Sequence, residues 1–190
     1  MMSLFRAIQD EIANCAVVRP EANDQDKLVT RTMELLVSRS AEDEWLFHLT
    51  KVEVPACVKT DRCYSRIEKA IYEQSEEEIP NFRFLLRTAF ECRFCYEGIV
   101  SLHAACVELD GLAVAFTGKS GLGKSTRARA WVEGLGAQFI SGDRPAVRLE
   151  KDGCVACGVP WDGKEQIFRD VERPLKCILE VRRAPANYVR

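Results

Sequence analysis

The sequence predicts an α/β chain, and three observations carry that expectation. Gly118-x4-Gly123-Lys124-Ser125, within "FTGKSGLGKST", fits the phosphate-loop pattern G-x-x-x-x-G-K-[ST]. An extended apolar run, "LAVAFTG", leads into the loop and a helical run, "KSTRARAWVEGLG", leads out of it. Strand-like segments then return in "AQFIS", "AVRLE", "CVACG" and "LKCILEVRR". Strand, loop, helix, strand is the core of a phosphate-binding α/β unit.

Each element has a local reason. Asp110-Gly111 separates "IVSLHAACVEL" from "LAVAFTG", and Asp-Gly between two extended runs is a strong short-range hairpin signal. A two-residue turn there makes paired residue numbers sum to 221, which sets His103 opposite Gly118. The helix after the loop closes on Gly134 or Gly136, residues free to adopt the left-handed cap. Trp131 is expected in a core or interface, and Arg127 and Arg129 on a solvated face. "KDG" turns a second hairpin between "AVRLE" and "CVACG".

Residues 1–95 carry weaker signals and are expected to form an α+β region ahead of a nucleotide-binding domain over 96–190. Helical patterns are read over residues 3–14, in "KLVTRTMELLVSRS", in "RIEKAIYEQSEEEI", and from Asn81 to Tyr96 after Pro80. "WLFHLTKVEVPACV" reads as one or two strands. There is no internal repeat and no low-complexity linker.

The chain has 190 residues, 47% hydrophobic and 29% charged, with a formal net charge of -2. That is an ordinary globular composition, and the lack of basic excess argues against a nucleic-acid partner. No apolar run approaches the ~20 residues that cross a membrane, and the N-terminus lacks the basic start and apolar core of a secretory signal. A cytoplasmic location is therefore expected. The nine cysteines, an odd count, are read as reduced thiols. Cys92/Cys95 and Cys154/Cys157 have C-x-x-C spacing, but a helix and a strand do not converge four ligands as zinc requires, so packing is expected instead.

The loop residues have stated chemical uses. Gly118, Gly121 and Gly123 let backbone N–H groups crowd an anion, and Lys119, Ser120, Leu122 and Thr126 complete the cradle. Lys124 adds a charge for the terminal phosphates, and Ser125 offers a hydroxyl to Mg²⁺. Asp143, at the end of "FISGD", is the expected Mg²⁺ partner, although Asp also suits the turn "GDRP". His103 would flank the phosphates, against the plainer alternative of a satisfied polar residue at a strand end. In "PWDGKE", Lys164 could reach a transferring phosphoryl group while Asp162 or Glu165 orients the acceptor; the alternative is an exposed turn over a packed Trp161.

"SLHAACVELDGLAVAFTGKSGLGKSTRARAW" followed by "SGDRP" and "GVPWDGKE" resembles the HPr serine kinase/phosphorylase group, over roughly residues 96–182. It is most similar to small bacterial HPr kinase-like proteins with a "PWxGKE"-type segment, some of them associated with modified-peptide pathways. The resemblance implies the phosphoenolpyruvate carboxykinase/HPr kinase-like nucleotide-binding fold: a mixed sheet with a β-hairpin before the phosphate loop. His103 matches the hairpin histidine of that group, and Gly142-Asp143-Arg144 matches its acidic segment. Bifunctional members carry two successive aspartates where this chain has Gly142-Asp143. They also continue into further C-terminal helices, so a reduced version or a missing part is expected.

The implied activity is ATP-dependent phosphotransfer, with Mg²⁺, to a hydroxyl such as a peptide or protein serine. His103, Asp143 and Lys164 would be catalytic. The alternatives are an ATP-binding interaction module without catalysis, and carboxykinase chemistry on a small carboxylic acid, for which no basic cluster is seen. The expected partners are a nucleotide and a peptide, protein or small-molecule acceptor; no membrane is expected, and self-association stays open.

Overall fold

A computed structural model of the chain describes residues 2–15, 17–18, 27–31, 35–40, 42–49, 56–71, 82–161 and 167–185. They fall into an α/β protein of two units, one of Glu11–Glu97 and one that joins Met1–Asp10 to Gly98–Arg190. The division falls inside the first helix, α1 (Leu4–Asn14).

The Glu11–Glu97 unit holds a six-stranded sheet in the order β1-β6-β5-β4-β3-β2. Its strands are β1 (Val17–Val18), β2 (Lys27–Arg31), β3 (Leu35–Arg39), β4 (Trp45–Leu49), β5 (Ala56–Thr60) and β6 (Ile67–Ile71). β1 pairs parallel with β6; all other neighbours are antiparallel. One helix, α2 (Phe82–Tyr96), packs on β4 and β5. It buries Leu85, Leu86, Ala89, Phe90 and Phe94, spaced along one helical face, while Phe47 and Val58 are buried in the strands.

Two sequence expectations are corrected here. "KLVTRTMELLVSRS" forms β2 and β3 rather than a helix, and the first part of "RIEKAIYEQSEEEI" forms β6. Both are short enough to satisfy either period, and cross-strand pairing decides between them. Val37 lies opposite Phe47, which lies opposite Val58, and Lys59 lies opposite Glu68. Residues 72–79 of the second stretch lie outside the described residues.

The second unit holds a seven-stranded mixed sheet in the order β10-β8-β9-β13-β12-β11-β7. Its strands are β7 (Ile99–Ser101), β8 (Ala104–Leu109), β9 (Leu112–Thr117), β10 (Gln138–Ser141), β11 (Ala146–Glu150), β12 (Gly153–Cys157) and β13 (Glu172–Glu180). β13 runs parallel to β9, and every other pair is antiparallel. The helix α3 (Lys124–Leu135) follows β9 and lies against β8 and β9. The last strand starts at Glu172, three residues before the expected Leu175, because Glu172–Pro174 pairs with β12.

The apolar runs of β8 and β9 are buried on both faces. Ala104, Cys106, Ala113 and Ala115 form one cluster with Ile140 and Ala156. Ala105, Val107, Val114 and Phe116 form the other with Ala128 and Ala137, and Trp131 and Val132 pack on it. Trp131 meets Phe116 edge-on, with ring centroids 5.3 Å apart at 80°, a contact worth about 1 kcal/mol beyond its area. α3 ends at Gly136, whose φ of 72° is the left-handed cap, so Gly136 rather than Gly134 closes it.

Chain lengths show that this sheet is rolled. β7 and β8 are five strand spacings apart in the sheet order, which on a flat sheet is about 24 Å. Only Leu102 and His103 connect them, and three residues of chain reach at most roughly 11 Å. The link between β10 and β11 makes the same crossing beside it. Leu102 N–H donates to Pro145 O at 3.0 Å and Ala104 N–H to Asp143 O at 2.8 Å. Two crossings, 102–104 and 142–145, therefore run side by side.

Candidate functional site

The loop between β9 and α3 takes its shape from glycine. Gly118 has a φ of 142°, and a Cβ there would lie 2.7 Å from Val181 O, just beyond β13. Gly121 and Gly123 have φ of 77° and 89°. Gly123 is the N-cap of α3 and supplies no side-chain cap, which leaves N–H groups of the first turn for another acceptor. Lys119, Ser120, Gly121 and Thr126 are exposed, and Leu122 is half-buried.

Lys124 is only 8% exposed. Its ammonium donates to Gly118 O at 3.2 Å and to Lys119 O at 3.5 Å. Among the described residues no carboxylate lies within ion-pair distance of it. A buried cation that meets only neutral carbonyls among the described residues favours an approaching anion, because desolvation strengthens that attraction.

The predicted hairpin register is met. All six pairs from Ala104↔Thr117 to Leu109↔Leu112 sum to 221, with Asp110 and Gly111 both at positive φ. The ladder stops one residue short of His103, which sits instead at the apex of a tight turn. Ala104 N–H donates to Leu102 O at 3.0 Å as well as to Asp143 O, and Thr117 Oγ1 donates to His103 O at 3.2 Å. Because the two crossings run together, His103 Nε2 comes within 3.3 Å of Asp143 Oδ1.

The crossing also ties the acid to the loop. Ser125 Oγ donates to Gly142 O at 3.4 Å, and Gly142 N–H donates to Ile167 O at 2.8 Å. Ser125, Asp143 and His103 thus converge on the end of β9 where the loop begins. Asp143 presents Oδ1 to His103, while Arg144 Nε lies 3.8 Å from Oδ2. The sheet, not the helix, positions this pair.

Lys164, with Asp162 and Glu165, lies outside the described residues. Trp161, just before them, is buried. Arg127 and Arg129 are exposed on α3. None of the nine cysteines is in a disulfide: Cys92 and Cys95 lie on α2, and Cys154 and Cys157 on β12. Burial foremost pushes the Cys106 and Cys157 thiols up to about 12, so neither is a thiolate nucleophile near neutrality. Among the described residues no group of three or more His, Cys, Asp or Glu could hold a metal ion, and no helix is long and apolar enough to cross a membrane.

Two close backbone contacts escape sequence reasoning. Val181, 63 residues from Gly118, makes that glycine obligatory. Gly158 is held against Arg169, where a Cβ would lie 1.7 Å from the carbonyl oxygen. Neither has a local signal, since each partner comes from another strand or loop. Ser141 likewise carries no local signal in the sequence; its buried hydroxyl accepts from Arg144 N–H at 3.1 Å and fixes the turn that carries Asp143. No protein-family model matches the chain, and no curated protein sequence matches it.

Proposed function

We propose that the chain is an Mg²⁺-ATP-dependent phosphotransferase with a phosphoenolpyruvate carboxykinase/HPr kinase-like fold. It would move the γ-phosphoryl group to a hydroxyl, such as that of a peptide or protein serine. The observation that carries this reading is the pairing of His103 with Asp143 at the mouth of a loop whose buried Lys124 has no carboxylate within ion-pair distance among the described residues. A switch or a simple binding loop needs the lysine but has no use for the pair.

The residues fit the groups they would hold. Lys124 and the backbone N–H groups of 118–125 suit the β- and γ-phosphates. Ser125 and Asp143 are one hydroxyl and one carboxylate, and Mg²⁺ held there with water and phosphate oxygens would neutralise charge on the group being transferred. His103 would accept the proton of the acceptor hydroxyl, with Asp143 Oδ1 orienting its ring. Lys164 would steady the developing charge.

Gly142 favours a second reading. It leaves Asp143 to serve both His103 and Mg²⁺, which a non-catalytic ATP-binding module would not require. Titration of Mg²⁺-ATP followed by transfer from γ-labelled ATP to serine-bearing peptides separates the two. His103→Ala and Asp143→Asn are expected to lower transfer by about 100-fold while ATP affinity holds. Unchanged transfer removes the roles given to both residues. Binding without transfer to any hydroxyl leaves the module, and no binding at millimolar ATP sinks both readings.

A further inference from the structure

The Lys124 ammonium sits where the loop leaves β9, 3.2 Å from Gly118 O and 3.5 Å from Lys119 O. A phosphate that meets this ammonium therefore arrives beside Gly118. Gly118 in turn abuts Val181: a Cβ on it would lie 2.7 Å from Val181 O and 3.6 Å from Val181 C. Val181 N–H donates to Thr117 O at 2.8 Å, which carries the parallel β13–β9 ladder one residue past Glu180. In α/β sheets ligands gather at the carboxyl ends of parallel strands. The segment after β13 leaves the sheet at that end, next to the first glycine of the loop.

Two arginines follow Val181, and alternation sends them to different faces. Leu179 and Val181 pack on the cluster of Phe116 and Ala128, on the face that α3 covers. Arg182 pairs with Glu180, two residues back on the opposite face. No helix or turn intervenes over residues 181–184. Arg183 thus falls on the α3 face with Val181 and about 7 Å beyond it, beside the loop that joins β9 to α3. It is exposed, and among the described residues no carboxylate lies within ion-pair distance of it. Glu180, the acid nearest to it in the chain, is engaged by Arg182.

We propose that Arg183 binds the terminal phosphate of a nucleoside triphosphate held on the loop, so that the site selects a triphosphate over the matching diphosphate. This refines the nucleotide reading of the loop, on which it rests, by naming a specificity residue outside the G-x-x-x-x-G-K-[ST] pattern. Lys124 meets the phosphates as a buried point charge within the loop. Arg183 comes from the neighbouring strand, and its planar fork can make two charge-assisted hydrogen bonds to one phosphate group. A diphosphate is one group shorter and leaves that fork in water.

Calorimetric titration of the full chain with Mg²⁺-ATP and with Mg²⁺-ADP tests it. The parent should bind ATP the more tightly. Arg183→Ala should weaken ATP about 10-fold and leave ADP within ~2-fold of the parent. Mg²⁺-tripolyphosphate against Mg²⁺-pyrophosphate should show the same split, since the contact is to phosphate and not to the base. Arg129→Ala, which removes an exposed arginine from α3, should shift neither nucleotide. Arg183 is exposed beyond β13, so its loss should leave Tm unchanged. A parent that binds ATP, with Arg183→Ala weakening both nucleotides alike or neither, overturns the proposal and leaves the nucleotide reading standing. A parent that binds neither nucleotide overturns both.

Discussion

Lys124→Met keeps the aliphatic stem of Lys124 and deletes its charge, and the site geometry predicts opposite effects on stability and on ligand response. The ammonium is buried, with one hydrogen bond of ordinary length at 3.2 Å and one long contact at 3.5 Å. Taking such a cation out of water costs several kcal/mol. Losing it strands two carbonyl oxygens, at about 1 kcal/mol each. The ligand-free variant should therefore equal the parent or exceed it by about 1 kcal/mol, some 2–4 °C in Tm for a chain of this size. With Mg²⁺-ATP at 100 times Kd, the parent should gain about 2.7 kcal/mol. That corresponds to roughly 5–11 °C in Tm, and the variant should gain almost none of it. Thermal melts of both proteins with and without nucleotide measure the two effects together. A ligand-free variant that melts more than about 4 °C lower would make the ammonium a structural group. A variant that keeps the full nucleotide shift would refute phosphate binding at Lys124.

Two further outcomes test the frame of the site. Gly158→Ala would set a Cβ 1.7 Å from Arg169 O, and the backbone there is pinned by Gly158 N–H to Val171 O and Arg169 N–H to Ile140 O. A loss of at least ~3 kcal/mol is expected in denaturant unfolding, and an unchanged midpoint would show that this packing is wrong. The hydrogen bond from Arg173, and after it that from Arg169, holds Glu108 below the ordinary glutamate value of 4.5 against the opposing effect of burial. Its contribution to stability is thus complete above the unfolded value and is lost as pH falls through the folded one, where the unfolded chain binds the extra proton. Glu108→Gln should flatten the stability profile on the acid side of the ordinary glutamate value of 4.5; a slope as steep as the parent's would assign the acid sensitivity elsewhere.

Local chemistry was enough to specify the glycine-rich loop, the Asp110-Gly111 hairpin with its register, and an end of α3 at Gly134 or Gly136. Each depends on backbone conformations that only certain residues adopt, within a few positions of one another. The strands of residues 27–31, 35–39 and 67–71 were not legible, because their short apolar patterns suit two periods and only distant partners such as Phe47 and Val58 choose between them. Tertiary structure also decided the site. The sequence could set His103 beside Gly118 and Asp143 after a strand, but not bring the two within 3.3 Å. That proximity follows from a rolled sheet whose ends must meet, since two residues cannot span five strand spacings any other way.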